Sequence, residues 1–303
     1  MGTPEFAVAS LNALLDAGHE ICAVVTQPDR PQGRGYKLAP PAVKTAALAR
    51  GLEVFQPETL KNESLLPLLE RTRPDAIVVA AYGKILPQYV LGFPPRGCIN
   101  VHASLLPRYR GAAPINWAII NGERESGVTI MYMEKGLDTG DMLLSVRTPI
   151  ADDDTAGDLH DRLAVLGADA LVHALVLLEA GRITPVKQDD SQHTYAPMLS
   201  RDDCRLDFCQ SAKQVRDRIR GLAPFPGAYL TLSGRQIKVF EAQIVSGRGE
   251  PGSVLYADRE HGLVLACADG ALRLVTLQPQ GKRRMSAKEY LAGHPVPPGT
   301  VAE

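Results

Sequence analysis

The sequence has no apolar run long enough to cross a bilayer. Its longest apolar stretches, such as residues 76 to 82 and 170 to 178, are far shorter than the ~20 residues that a membrane helix needs. No basic segment followed by an apolar one opens the chain. With 45% hydrophobic and 22% charged residues, the composition is typical of a soluble globular protein. We therefore expect a cytoplasmic protein without membrane contact.

Cysteine and histidine are too few, and too far apart, to indicate a cross-linked or metal-bound fold. The five cysteines form an odd set without a C-x-x-C pair, which argues against a disulfide framework and against a zinc site. The seven histidines form no H-x-x-x-H pair, and no carboxylate cluster stands in for them as ligands. We expect reduced thiols and no metal ion.

Two kinds of pattern divide the chain. Residues 21 to 150 alternate short β-branched runs with helical stretches, which is typical of a mainly parallel sheet covered by helices. Residues 155 to 180 continue as one long amphipathic helix. Beyond the aperiodic residues 181 to 200, short strands alternate with glycine turns. We predict an α/β catalytic domain over 1–181, a linker over 182–200 and a small β domain over 201–303.

The first residues of the chain resemble a helix entry. Thr3 suits the N-cap and Pro4 the first helical position. In an α/β domain such a helix normally follows a strand, and none precedes it here. The first strand of the sheet is therefore missing: either the domain tolerates its loss, or the true chain begins upstream of Met1.

Three polar side chains stand out within the α/β region. Asn100 and His102 are two residues apart on a predicted strand, so both point to one face. Asp138 lies in the loop Gly136-Leu-Asp-Thr-Gly140, where glycines permit a tight turn at a strand end, the place where ligands of open α/β sheets gather. Taken singly, each feature is explained better by a structural role, a hydrogen-bonded core histidine in one case and a capped hairpin turn in the other.

Together these side chains supply an oxyanion donor, a proton carrier and a carboxylate that orients or charges it. That set suits acyl transfer through a tetrahedral intermediate. The sequence lacks a G-x-S-x-G motif, and no cysteine stands beside a candidate base. The attacking nucleophile must therefore come from a substrate.

The segments that carry these residues, 97–123 and 127–143, resemble the folate-dependent formyltransferases. The resemblance runs from Gly2 almost to the end of the chain and includes AYGKILP, TQPDRPQGRG and LQPQGKRRMSAKEYL. It implies a Rossmann-like N-terminal domain and a C-terminal barrel of the OB type. It also implies that the catalytic residues are Asn100, His102 and Asp138, and that a folate-contacting loop consists of Ser104, Leu105, Leu106 and Pro107.

The resemblance is to members of the family that act on initiator methionyl-tRNA. It implies transfer of a formyl group from 10-formyltetrahydrofolate, as co-substrate, to the α-amino group of the esterified methionine. Because the three catalytic side chains suit several acceptors, formylation of a nucleotide amino sugar is the alternative. A catalytically silent RNA-binding or folate-sensing protein is a further alternative, although binding alone does not require all three side chains.

Two basic elements suit contact with tRNA, although without the resemblance a solvated connection would explain the first of them better. The loop 26–44 is basic, and its glycines and prolines predict irregular structure that could enter an acceptor stem. Residues 281–285 form the densest basic run and suit phosphate contact. The residues expected to contact tRNA are Arg30, Arg34 and Lys37 in the first element and Lys282, Arg283 and Arg284 in the second. We expect the protein to act as a monomer.

Overall fold

The computed structural model of the protein describes residues 1–32 and 37–303. These residues divide into two compact units. The first comprises residues 1–111, 126–148 and 160–196. The second comprises residues 112–125, 149–159 and 197–303.

Helices and strands alternate through the first half of the chain, and strands dominate the last third. The α-helices are α1 (Glu5–Asp16), α2 (Ala42–Ala49), α3 (Leu66–Thr72), α4 (Gln88–Leu91), α5 (Pro114–Ile120), α6 (Ala156–Glu179), α7 (Ala212–Gly221) and α8 (Ala287–Gly293). The strands are β1 (Val24–Val25), β2 (Arg30–Gln32), β3 (Lys37–Ala39), β4 (Val54–Phe55), β5 (Ile77–Val79), β6 (Cys98–His102), β7 (Arg110–Gly111), β8 (Glu125–Tyr132), β9 (Met142–Pro149), β10 (Tyr195–Ala196), β11 (Ala228–Leu232), β12 (Arg235–Val245), β13 (Val254–Asp258), β14 (Gly262–Ala266), β15 (Ala271–Pro279) and β16 (Met285–Ser286). None of the helices in the described part of the chain is long and apolar enough to span a membrane.

The main sheet of the first unit is mixed. Its order is β5-β6-β8-β9, with β6 parallel to β5 and antiparallel to β8. Strands β1 and β4 form a separate parallel pair. Met1 and Gly2 lie between this pair and the main sheet. The amide of Gly2 donates to the carbonyl of Val25 in β1, and the amide of Ala80, directly after β5, donates to the carbonyl of Met1, each at 3.0 Å. The α/β class predicted from the sequence is confirmed, and the sheet contains antiparallel as well as parallel pairs.

The strand that carries the candidate catalytic residues lies in the middle of this sheet. All five residues of β6 are buried, because β5 and β8 flank it in the sheet and α6 packs over one face. Gly167 of α6 makes this packing close, since a Cβ there would come within 2.8 Å of the Cγ1 atom of Val101. The long helix predicted over residues 155 to 180 is confirmed as α6. The buried centre gives β6 a rigid position.

The basic loop 26–44 is more regular than predicted. Strands β2 and β3 pair as a short antiparallel hairpin, in which Pro31 stands opposite Leu38. The prediction of irregular structure was wrong for these strands because a proline, which cannot donate to a ladder, is tolerated where both strands are edges. Arg34 lies outside the described residues.

The second unit is built on an antiparallel sheet in the order β11-β12-β15-β14-β13, with β16 against β15. Strands β14 and β15 form a hairpin at one of the predicted glycine turns: Gly270 has φ of 78° between them, and its carbonyl accepts the amide of Cys267 at 3.0 Å. Helix α7 begins with a capping box of Ser211 and Gln214. In the described chain β11 and β13 stand at opposite ends of the strand order and are not paired with each other, so closure into an OB-type barrel stays a prediction, as do the predicted domain boundaries.

Candidate active site

Asn100 and His102 lie on β6 with little exposure, at 8% and 5%. Their alternation along the strand puts both side chains on the same face of the sheet, as the sequence predicts. Within the described residues, no hydrogen bond engages the side-chain amide of Asn100. A buried amide without a protein partner costs free energy unless a ligand or solvent satisfies it. Asn100 is therefore available as a hydrogen-bond donor.

The two ring nitrogens of His102 have different partners. Nε2 lies 2.9 Å from the carbonyl oxygen of Tyr109, and because a carbonyl only accepts, Nε2 carries a hydrogen. Nδ1 lies 3.6 Å from Oδ2 of Asp138, which is long for a hydrogen bond but suitable for an ion pair. In the neutral ring, Nδ1 is therefore the proton-accepting position.

The carboxylate of Asp138 is set by the backbone of its loop. Asp138 has φ of 51°, a left-handed conformation that aspartate tolerates better than most residues. Its Oδ2 accepts the amide of Gly111 at 2.8 Å. Gly111 is needed at this position because β7 approaches β10 so closely that a Cβ would stand 2.8 Å from the carbonyl oxygen of Ala196. Asp138 therefore stands beside His102, which shares one face of β6 with Asn100; these three residues are called the cluster below.

The predicted folate-contacting loop leaves the end of β6 directly beside this cluster. Thr129 holds its backbone: the hydroxyl donates to the carbonyl of Ser104 at 2.7 Å and accepts the amide of Leu106 at 3.1 Å. The Ser104 hydroxyl donates to the carbonyl of Arg108 at 2.7 Å. Leu105 and Pro107 are half-buried. The loop is braced from within, and its contact with folate stays a prediction.

Two candidate functional residues, Gln188 and Arg110, were not predicted from the sequence. The Nε2 atom of Gln188 donates to the carbonyls of Asp138 and Gly140, each at 2.8 Å. Its Oε1 accepts two hydrogen bonds from Arg110, at 3.0 Å from Nε and 2.7 Å from Nη2. Gln188 belongs to the aperiodic segment 182–200, so no sequence pattern marked it.

Basic residues of the segment 26–44 lie on both strands of the hairpin and on α2. Arg30 on β2 is exposed, and Lys37 lies on β3. Lys44, in the same predicted loop, is paired with Asp29 at 2.8 Å. Hydrogen bonds from Gln56 and then from Lys44 lower the pKa of Asp29. Lys44 is therefore already engaged in an ion pair within the protein.

The basic run of the second unit also contains two kinds of residue. Lys282, Arg283 and Arg284 are all exposed, and Arg283 pairs with Glu289 at 3.0 Å. The guanidinium of Arg284 donates to the carbonyl of Pro224 at 2.9 Å and stacks over the ring of Phe240, 3.6 Å from its centroid. Contact of all three with tRNA stays a prediction, and Arg284 has structural contacts as well.

Three of the cysteines, Cys98, Cys204 and Cys267, are buried. All five cysteines are free. Burial raises the pKa of the Cys98 thiol to about 12 and that of Cys267 to about 11. Among residues 1–32 and 37–303, no three His, Cys, Asp or Glu side chains are grouped so that they could hold a metal ion.

Comparison with known proteins places these features in one family. The chain matches the formyl transferase family model over residues 1–175 and the formyl transferase C-terminal domain model over residues 198–295. It is 51% identical to a methionyl-tRNA formyltransferase of Caldanaerobacter subterraneus subsp. tengcongensis, over 99% of this chain and 98% of the relative.

Solved structures of lower identity share the fold. An N-formyltransferase from Helicobacter canadensis, in complex with folinic acid and dTDP-3-aminofucose, superposes with a TM-score of 0.67 at 19% identity, over 94% of this chain and 97% of that one. HypX from Aquifex aeolicus, in complex with tetrahydrofolic acid, gives a TM-score of 0.61 at 22% identity, over 80% of this chain and 43% of that one. The two domain matches and the near-full-length identity show that the chain belongs to the formyl transferase family, with methionyl-tRNA formyltransferases among its relatives.

Proposed function

We propose that this protein transfers the formyl group of 10-formyltetrahydrofolate to the α-amino group of methionine on initiator methionyl-tRNA, for translation initiation. The observation that carries the proposal is the 51% identity, over nearly the full length of both chains, with a methionyl-tRNA formyltransferase. The cluster of Asn100, His102 and Asp138 supplies the chemistry that this reaction needs.

Asn100 has the features of an oxyanion donor. The methionine amine attacks the formyl carbon, a carbon–nitrogen bond forms, and the electron pair of the carbonyl moves to its oxygen. A preorganised donor that meets this charge stabilises the transition state more than the ground state. The amide of Asn100 is buried and makes no hydrogen bond within the described chain, so it can be directed at that oxygen without breaking a protein contact.

His102 has the features of the proton carrier. The attacking amine must lose a proton, and N10 of the folate must gain one as its bond to the formyl carbon breaks. Nε2 is engaged with the Tyr109 carbonyl, so Nδ1 is the position that takes up and returns a proton. Asp138, at 3.6 Å from Nδ1, orients the ring and pairs with the imidazolium.

The folate donor is assigned to the loop Ser104, Leu105, Leu106 and Pro107. The Ser104 hydroxyl and the Leu106 amide are already engaged inside the protein. The loop would therefore meet the pterin through its remaining backbone groups and through the half-buried side chains of Leu105 and Pro107. A braced loop lowers the entropic cost of positioning the donor.

Transfer RNA is assigned to two separate surfaces, one in each predicted domain. The catalytic domain over 1–181 contributes Arg30, Arg34 and Lys37, and residues 182–200 connect it to an OB-type tRNA-binding domain over 201–303. Lys282, Arg283 and Arg284 of that domain would contact phosphates, which any tRNA offers. We further propose that the protein acts as a cytoplasmic monomer.

A competition assay distinguishes this function from the alternative. The purified protein is given 10-formyltetrahydrofolate with charged initiator tRNA, charged elongator methionine tRNA and a nucleotide amino sugar in the same reaction. We expect formyl transfer to initiator methionyl-tRNA to exceed transfer to either competitor by at least ~10² in kcat/KM. Preferred formylation of the amino sugar would contradict the proposal.

A further inference from the structure

We infer that Gln188 and Arg110 are positioning residues for the candidate catalytic carboxylate, Asp138. This inference rests on the proposed function, because it assigns their role in that same site. Both side chains are almost fully buried, with Gln188 5% and Arg110 2% exposed. Their hydrogen bonds end on the backbone of the loop that carries Asp138.

The amide of Gln188 can adopt one orientation only. Its NH2 group donates to two carbonyls, those of Asp138 and Gly140, and its oxygen accepts twice from Arg110. With the amide reversed, the oxygen would face two carbonyl oxygens and the NH2 group would face a guanidinium. Arg110 therefore sets the amide, and the amide binds the loop at two points.

The backbone of Asp138 needs hydrogen bonds of this kind to hold its conformation. Its left-handed conformation, with φ of 51°, is less favourable than a right-handed one for an L-residue, so surrounding contacts help to maintain it. The 3.6 Å separation from His102 is too long for a hydrogen bond that could fix the carboxylate. The loop backbone therefore sets the distance between carboxylate and ring, and Gln188 binds that backbone on either side of Thr139.

Arg110 is also next in the chain to a second contact with the Asp138 loop. The residue that follows it, Gly111, donates its amide to Oδ2 of Asp138 at 2.8 Å. Strand β7 is in turn fixed by its parallel pairing with β10, where Tyr195 stands opposite Arg110. A buried guanidinium is unfavourable without partners, and here Gln188 and the exposed Asp190, at 2.8 Å, supply them. The pair Arg110 and Gln188 thus links β7, the Asp138 loop and residues 188–196.

The substitution Gln188→Glu isolates the positioning role. A glutamate keeps the shape of the side chain and the acceptor for Arg110, but it cannot donate to the carbonyls of Asp138 and Gly140. We expect kcat for formylation of initiator methionyl-tRNA to fall on the order of 10- to 100-fold, with KM for tRNA and for folate within twofold of the parent. Gln188→Asn, which keeps the amide but is one methylene shorter, should lose less.

Gln192→Glu is the matched control. It makes the same chemical change four residues away, on an exposed side chain whose amide donates to Asp189. Its kcat should stay within twofold of the parent. A fall in kcat for Gln192→Glu equal to that for Gln188→Glu would overturn the inference, because added charge would then explain both.

A double-substitution cycle separates positioning from general stabilisation. In an Asp138→Asn background, Gln188→Glu should change the single-turnover rate by less than twofold, because the carboxylate that it positions is already gone. The same loss in both backgrounds, or a loss that raises KM as much as it lowers kcat, would overturn the inference.

Hydrogen exchange of the Gly111 amide gives a readout that does not depend on activity. This amide donates to the Asp138 carboxylate, so it should exchange at least ~10-fold faster in Gln188→Glu than in the parent. Unchanged exchange would overturn the inference. If the parent protein fails to formylate methionyl-tRNA, the proposed function fails, and the exchange rates still decide whether Gln188 positions the loop.

Discussion

His102 faces the carboxylate of Asp138 through Nδ1, at 3.6 Å, while its Nε2 donates to a backbone carbonyl at 2.9 Å. The two contacts fix the plane of the ring and leave one nitrogen able to accept a proton. The carboxylate lies beside that same nitrogen. This geometry suits a histidine that takes up and returns a proton during acyl transfer.

Replacing Asn100 by alanine removes the proposed oxyanion donor. We expect kcat to fall on the order of 10² to 10³, because the lost hydrogen bond acts on charge that develops only in the transition state. Folate affinity should change less than threefold. Steady-state kinetics together with a folate titration measure both quantities. A single-turnover rate within threefold of the parent would remove Asn100 from the mechanism.

The basic residues of the second unit should fall into two classes. Changing Lys282 and Arg283 to alanine should weaken all tRNAs alike and lower the slope of log K against log salt by up to ~1 for each lost phosphate contact. Arg284→Ala should in addition lower the melting temperature, because it removes the stack on Phe240 and the hydrogen bond to Pro224. Salt titrations and thermal unfolding distinguish the classes. An unchanged salt slope in the double variant would contradict the phosphate assignment.

The stability of the protein should decline in alkaline solution, in part because of Cys98. Burial raises its pKa from 9.0 to about 12, so between these values the folded thiol keeps a proton that the unfolded thiol releases. The stabilisation is complete below pH 9 and is lost as pH rises towards 12. In urea unfolding at pH 8 to 10.5, Cys98→Ala should show a smaller decline than the parent. The exposed Cys209 supplies the control: Cys209→Ala should match the parent, and equal declines in all three proteins would refute this effect.

The sequence predicted the parts of the site that depend on local pattern. The two-residue spacing of Asn100 and His102 places them on one face of any strand, and the structure has them there on β6. The glycines beside Asp138 predicted a tight loop at a strand end. These features depend on backbone periodicity and turn chemistry, both of which are local.

Gln188 could not be predicted in the same way. Its segment has no apolar period, and its burial results from tertiary contacts with Arg110 and the Asp138 loop, 78 and 50 residues away along the chain. Strand β10 pairs over only two residues, too few to produce an alternating pattern. Likewise, nothing in the composition of residues 281–285 indicates that Arg284 stacks on an aromatic ring, since that contact depends on where Phe240 lies.

The most direct test of the central claim is the single-turnover rate of formyl transfer to charged initiator tRNA in His102→Ala and Asp138→Asn. Both proteins should bind folate with nearly the affinity of the parent, because neither residue belongs to the loop assigned to the donor. We predict that each rate falls by at least ~10², since a proton carrier and the group that orients it act mainly in the transition state. Rates within threefold of the parent, measured with saturating folate and tRNA, would contradict the assignment of this cluster as the catalytic centre.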